Sequence, residues 1–266
     1  MPSLSAQDQA KKAVGAAAVE RYVEPGMLVG LGSGTTSRWF VRALGAAVAD
    51  GLTVRGVPTS STTTNLATSL GIPLAGFDEF DRLELIVDGA DEIDPRGNII
   101  KGGGASLLWE RIVADAADRY VVIADSDKLR DELGAGPLPI EVVQYGWEST
   151  TRSIDRLLRL HGFPLDVPLA QRASDSGSPV VTDSGNFIVD AHLHSIPDPT
   201  VLDRELNWIP GVVENGLFTG LADEVLFANT SGELTVMDCH ETPAARSTTT
   251  PHGLRITQPH RTPPVA

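Results

Sequence analysis

The chain has 266 residues, 41% hydrophobic and 21% charged, an ordinary globular composition with room for one large domain or two modest ones. Thirty-five acids against 21 bases leave a formal charge of −14, which argues against a nucleic-acid partner, since such binding rests on a basic surface that displaces counterions. No apolar run approaches the ~20 residues needed to cross a bilayer, and Met1 to Asp8 lacks the basic start and apolar stretch of a secretion signal. A soluble, cytoplasmic protein without a membrane partner is therefore expected. The single cysteine, Cys239, can form no internal disulfide, and no metal cage can be built around it.

In chain order, the alanine-rich stretch Ser5 to Glu24 reads as a helix ended by Pro25-Gly26. Met27 to Gly30 is a short apolar run before glycines, as in a buried strand, and Thr35 to Ala49 follows as a helix. The rhythm repeats with Leu52 to Val57 as strand and Thr63 to Leu70 as helix. Leu83 to Val87 is the next strand, a helix runs from about Gly103 to Ala117, and Tyr120 to Ala124 is a fourth strand. Strands alternating with helices predict a parallel, Rossmann-like α/β sheet covered on both faces. After Pro137-Leu138-Pro139 the pattern changes. Ile140 to Tyr145 reads as a strand, Thr150 to His161 as a helix, and Phe163 to Pro179 as loop. Val180 to Thr182 and Phe187 to Val189 flank Asp183-Ser184-Gly185-Asn186, a hairpin signal. Pro199 to Leu206 reads as a short helix, and Leu217-Phe218, Val225 to Phe227 and Leu234 to Met237 as runs that return to the first sheet. The predicted division is a catalytic domain of residues 1–137 plus 214–239, a smaller α+β domain of 138–213, and a disordered tail of 240–266 with little to bury.

Ligands of open parallel sheets bind at the carboxyl ends of the strands, and the unusual residues fall at those ends. Gly30 to Ser37 follows the first strand. It lacks the third glycine of a dinucleotide fingerprint, because position 35 is threonine, and it lacks the lysine of an ATPase phosphate loop. What remains is a small-residue turn entering a helix. It suits either a phosphate, held by backbone N–H groups and hydroxyls, or a simple serine/threonine cap. Asp88 and Asp91, separated by Gly89-Ala90, could move protons, bind sugar hydroxyls, hold a divalent ion or merely cap a loop. Lys101 precedes Gly102, Gly103 and Gly104, a run that is entropically costly unless the backbone needs unusual dihedrals or touches a ligand. It could bind an anion or oxyanion, or stand on a flexible surface loop. On a helical wheel Glu110 lies at the edge of the apolar arc, where desolvation would raise its pKa toward that of a general base, whereas Arg111 falls on the polar face. Lys128, beyond the fourth strand, could serve an anion or the solvent. His192 and His194 share a side of a possible strand but have no third ligand.

Taken together, Gly32-Ser33-Gly34-Thr35-Thr36, Asp88-Gly89-Ala90-Asp91-Glu92-Ile93, Lys101-Gly102-Gly103-Gly104-Ala105, Glu110 and Ile123 to Lys128 resemble the type A ribose-5-phosphate isomerase family. Pro137 to Val142, Val181 to Asn186 and Ile209 to Phe218 match as well, and the resemblance runs in order over roughly residues 8 to 238. It implies interconversion of ribose 5-phosphate and ribulose 5-phosphate through an enediolate, with neither metal nor organic cofactor. The resemblance makes Glu110 the catalytic base and gives Asp88, Asp91 and Lys101 the work of ring opening and oxyanion stabilisation. Ser33, Gly34, Thr35, Thr36, Asp88 to Asp91, Lys101 to Gly104 and Lys128 match substrate-binding positions. It also implies a homodimer or homotetramer. The stretch from about Pro164 to Ser178 is longer than the family's compact versions. The main alternative is a non-catalytic sugar-phosphate sensor of the same fold, which would need the phosphate loop but not Glu110.

Overall fold

The computed structural model describes residues 4–239, so the expected tail from His240 onward lies outside the described residues. Thirteen strands and six α-helices alternate along them. The first part of the chain contributes α1 (Ala6–Tyr22), β1 (Leu28–Leu31), α2 (Gly34–Ala49), β2 (Arg55–Pro58), α3 (Ser61–Ser69) and β3 (Leu85–Gly89). Next come β4 (Glu92–Ile93), β5 (Ile99–Ile100), α4 (Leu107–Ala116), β6 (Tyr120–Asp125), β7 (Leu138–Val142) and α5 (Trp147–Leu160). The last are β8 (Leu169–Gln171), β9 (Phe187–Ala191), α6 (Pro199–Leu206), β10 (Val212–Asn215), β11 (Leu217–Phe218), β12 (Glu224–Ala228) and β13 (Leu234–Asp238).

The main sheet has the order β13-β12-β6-β3-β1-β2. Every pair in it is parallel except β12 with β13. From β1 the chain steps out to β2, then returns to the other side of β1 and continues through β3, β6 and β12. The loops after β1 and β3 therefore leave in opposite directions, and a crevice opens between them. Both faces are covered, as the alternating pattern predicts. One core packs Val14 and Ala18 of α1, Phe40, Val41 and Leu44 of α2 and Ala67 of α3 against Val29, Leu31, Leu85, Val87, Val121 and Ile123. On the opposite face Leu107, Val113 and Ala114 of α4 meet Ile86, Val122, Ala124 and Val225.

Two smaller sheets flank this one. β10-β7-β9-β8 is antiparallel throughout and shares a third core with Ile154 and Leu158 of α5 and Leu202 and Leu206 of α6. The antiparallel β11-β5-β4 sheet sits beside α4.

Several sequence expectations change in detail. Leu217-Phe218 pairs with Ile99-Ile100 in the small sheet and does not rejoin the main one, whereas β12 and β13 do. The Phe163 to Pro179 loop holds β8, too short to carry a period-2 signal, which pairs with β9. The expected hairpin about Asp183 to Asn186 reduces to one bridge, Val181 to Phe187, because β9 spends its pairing capacity on β7 and β8. Residues 103–106 precede α4 and do not form its first turn, because Ala105, at φ 58, breaks the helical backbone ahead of Leu107. His192 and His194 lie beyond the end of β9, with His194 at φ 63, so strand alternation does not relate them.

Candidate active site

The crevice between β1 and β3 is open to solvent, and with the solvent at its mouth it spans about 430 Å³. Its walls are Ser33, Gly34, Thr35, Thr36, Gly89, Ala90, Asp91, Lys101, Gly102, Gly103, Gly104, Glu110 and Lys128. The fold thus gathers residues of four separate loops and a helix, and every expected site residue but one is in the wall. The exception, Asp88, lies beneath the floor and is fully buried.

Asp88 is the penultimate residue of β3, where the parallel register sets Leu31 beside Val87 and so brings the β1 loop against the next carboxylate. Its Oδ1 accepts the Ser33 N–H at 3.0 Å, the Ser37 hydroxyl at 3.0 Å and the Gly89 N–H at 2.7 Å. Such an approach requires glycine at position 32, where a Cβ would stand 2.1 Å from Asp88 Oδ1. The second oxygen, Oδ2, lies 2.9 Å from Lys101 Nζ.

The Lys101 ammonium has three acceptors around it. It bonds the Gly89 carbonyl at 2.7 Å, faces Asp88, and reaches Glu110 Oε1 at 3.1 Å. Burial alone would strip its proton, but the two carboxylates overcome that and raise its pKa well above the ordinary value. Lys101 therefore stays charged, and its own removal would leave two buried carboxylates without a counter-charge.

Glu110 is carried by α4, whose apolar residues pack on the sheet while Glu110 faces the crevice. Its carboxyl is only 4% exposed. Burial raises its pKa, the Lys101 ammonium opposes that and Asp88 reinforces it, so it stands at about 8. Its Oε2 is buried and accepts no hydrogen bond. That leaves one acceptor in the cluster uncommitted. Asp91 is half-buried at the wall and accepts the Gly103 N–H at 2.8 Å. Gly102 turns the chain at φ +101, which side chains rarely tolerate.

The other end of the crevice is formed by the start of α2. α2 starts there with no acid in its first turn, and the Ser33 side chain makes no cap to it. The Ser33 hydroxyl instead joins Thr59 at 2.7 Å, Ser60 at 2.8 Å and Thr63 at 3.2 Å. The first-turn N–H groups are thus not satisfied by a side-chain cap, and the helix dipole favours a negative ligand. Lys11 Nζ reaches this end, donating to Thr35 Oγ1 at 3.2 Å, and Lys128 belongs to the crevice wall.

Sequence reading missed Lys11 because it looks like one of two solvated helix lysines. The available signal is that it shares the buried i, i+3, i+7 stripe with Val14 and Ala18. Tyr120, buried and influenced by the charges of Lys101, Asp88 and Glu110, was likewise read only as a strand residue. Arg111 was placed on a polar face. In the fold it points inward to Asp203, Glu214 and the Leu217 carbonyl, because α6 and β10 cover that side of α4.

The chain matches the model of the family described as ribose 5-phosphate isomerase A (phosphoriboisomerase A) over residues 55–232. A relative from Parvibaculum lavamentivorans named ribose-5-phosphate isomerase A is 49% identical over 229 residues, covering 86% of this chain and 97% of the relative. One of the same name from Jannaschia sp. is 47% identical, covering 88% and 89%. Among solved structures, a D-ribose-5-phosphate isomerase in complex with phospho-erythronic acid superposes with a TM-score of 0.80 at 37% identity, covering 87% of this chain and 99% of that one. The Plasmodium falciparum ribose 5-phosphate isomerase reaches 0.82 at 30% identity, covering 87% and 98%. Among the described residues no helix is long and apolar enough to cross a membrane. With a family match and relatives of this identity spanning most of its length, the chain belongs to the ribose 5-phosphate isomerase A family.

Proposed function

We propose that the crevice binds a pentose 5-phosphate with its phosphate on the start of α2, between Lys11 and Lys128, and its C1–C2 end beside Lys101 and Glu110. The observation that carries this reading is the free, buried Glu110 Oε2 next to a Lys101 ammonium already held by Asp88. A carboxylate with a raised pKa can take the C2 proton, while the electron pair moves into a C1–C2 double bond and charge gathers on the carbonyl oxygen. Lys101 and the glycine-loop amides stabilise that oxygen as the enediolate forms. The C2 hydroxyl gives its proton to the C1 oxygen, Glu110 returns the abstracted proton to C1, and C2 becomes the ketone. Asp91 opens the furanose ring by exchanging a proton with the sugar oxygens. Asp88 acts beneath the floor by keeping Lys101 charged and in place.

A phosphorylated sugar acid bound to a structural relative supports a phosphate-bearing ligand for this crevice. The same reading gives a free sugar phosphate as substrate and the cytoplasm as workplace. It retains the division into a catalytic unit, residues 1–137 with 214–239, and a smaller unit, 138–213, the latter supported by a third core to which the first unit adds Ile100, Leu133 and Leu217. It also takes the active form as a homodimer or homotetramer, for which the partly exposed edge strand β13 offers a pairing surface. The sensor reading is not favoured, since the relatives are named as isomerases.

The test follows ribulose 5-phosphate formation from ribose 5-phosphate for the wild type and Glu110→Gln, each with and without chelator. Chelator-resistant turnover that falls about 10²–10⁴-fold in the variant is expected of a lost general base. Full activity in Glu110→Gln would move the base to another carboxylate.

A further inference from the structure

Arg172 lies one residue beyond β8, in the segment whose sequence suggests only loop. Its guanidinium is gripped by both oxygens of Asp190 on β9, with Nε at 2.9 Å from Oδ2, and this pair is largely buried. The remaining nitrogen, Nη1, reaches out of the four-stranded sheet to the carbonyls of Gly102, at 2.7 Å, and Gly103, at 3.1 Å. Both glycines belong to the crevice wall. Arg172 itself does not.

A trans peptide is planar, and its C=O and N–H point in opposite directions; the described chain has no cis bond. Fixing the Gly102 carbonyl on Arg172 thus turns the Gly103 N–H away from it, and that N–H is the one bonded to Asp91 Oδ2. Fixing the Gly103 carbonyl does the same for the Gly104 N–H, which has no acceptor among the described residues. The Gly102 carbonyl also accepts the Ala105 N–H at 3.0 Å, whereas Arg172 is the partner of the Gly103 carbonyl, and glycines have no side chains to hold that second plane.

We infer that Arg172, anchored by Asp190, is a positioning residue for the isomerisation: it sets two peptide planes so that one N–H orients Asp91 and the next is presented to the substrate. The inference rests on the reading of the crevice given above. Lysine is a poor replacement, because one ammonium cannot both fork onto Asp190 and hold two carbonyls.

The experiment compares kcat/KM of the wild type, Arg172→Ala, Arg172→Lys and Glu110→Gln, together with melting temperature and its rise on adding inorganic phosphate. Arg172→Ala is expected to stay folded and keep the phosphate-induced rise while losing about 10–100-fold in kcat/KM, the scale of a small misplacement at a reacting centre. Arg172→Lys should recover part of the loss, and guanidinium ion added to Arg172→Ala should recover more than urea does. An Arg172→Ala enzyme within about twofold of the wild type, too little to be a positioning loss on that scale, would overturn the inference. So would a loss that tracks disappearance of the phosphate response, or one that guanidinium does not relieve. If Arg172→Ala does not fold, Asp190→Asn, which keeps the guanidinium but loosens its anchor, is read by the same criteria. Glu110→Gln separates the two levels: its full activity would refute the reading of the crevice, whereas its inactivity beside an unimpaired Arg172→Ala would refute only the role of Arg172.

Discussion

At the scale of single residues, Glu110 is the group whose environment and chemistry are most tightly joined. Burial raises its carboxyl from 4.5 to about 8 against the pull of Lys101. A base must be ionised, so kcat/KM is expected to climb with pH and level off above about 8, read from initial rates across a buffer series. The effect on stability has the opposite sense. Between 4.5 and about 8 the folded chain keeps a proton on Glu110 that the unfolded chain has lost. The stabilisation from this group is thus complete below 4.5 and is lost as pH rises through the folded value. Glu110→Gln does not titrate, so its melting temperature should fall less than that of the wild type from about pH 5 to about pH 9. Gly32 illustrates a different kind of residue, one defined by the space it leaves. Gly32→Ala drives a Cβ into Asp88 and should cost about 1–3 kcal/mol by denaturant titration, as overpacking does. Activity should fall with it, since Asp88 holds Lys101. The sequence made Asp88, Lys101 and Glu110 legible as candidates because carboxylates, a lysine and glycines stood at strand ends. It could not place Asp88 below the wall, since burial depends on which loop crosses above it.

At the scale of elements, α4 has to present Glu110 at one side and hold still at the other. Arg111, the next residue, secures it through the Leu217 carbonyl at 2.6 Å and through Asp203 and Glu214, and its guanidinium stacks 4.0 Å from the centre of the Phe218 ring. Arg111→Met would strand two largely buried carboxylates and should destabilise the chain by about 3–5 kcal/mol. Equilibrium denaturation checks the size of that loss, and kcat measured on the folded fraction checks whether Glu110 has shifted. Long amphipathic helices and apolar strands were readable in order, because periodicity is a local property. Two-residue strands such as β4 and β5 were not. β4 is held through β5, and β5 by β11 far along the chain, a pairing that no local window records.

Across the whole molecule, an acidic chain of charge −14 is read as binding a phosphorylated anion. The opposition is resolved locally, by the start of α2 and by Lys11 and Lys128, which act at contact distance where screening is weak. Binding there stabilises only the folded state. Ribose 5-phosphate at about 100 times its Kd should add about 2.7 kcal/mol, or about 5–10 °C in melting temperature for a domain of this size. A thermal melt in the presence of the sugar phosphate measures it, and Lys11→Met should diminish the rise.

The sequence by itself determined the α/β class, the order of the principal elements, the family and the loops that carry the chemistry, because these depend on residue type, spacing and local periodicity. Tertiary structure alone decided that α1 would send Lys11 to the start of α2, that Asp88 would lie under the floor, and that Arg172 would reach from a four-stranded sheet to the glycine turn. Each of these is a contact between segments far apart in the chain. Such contacts are set by sheet order and packing, which no local pattern of residues contains.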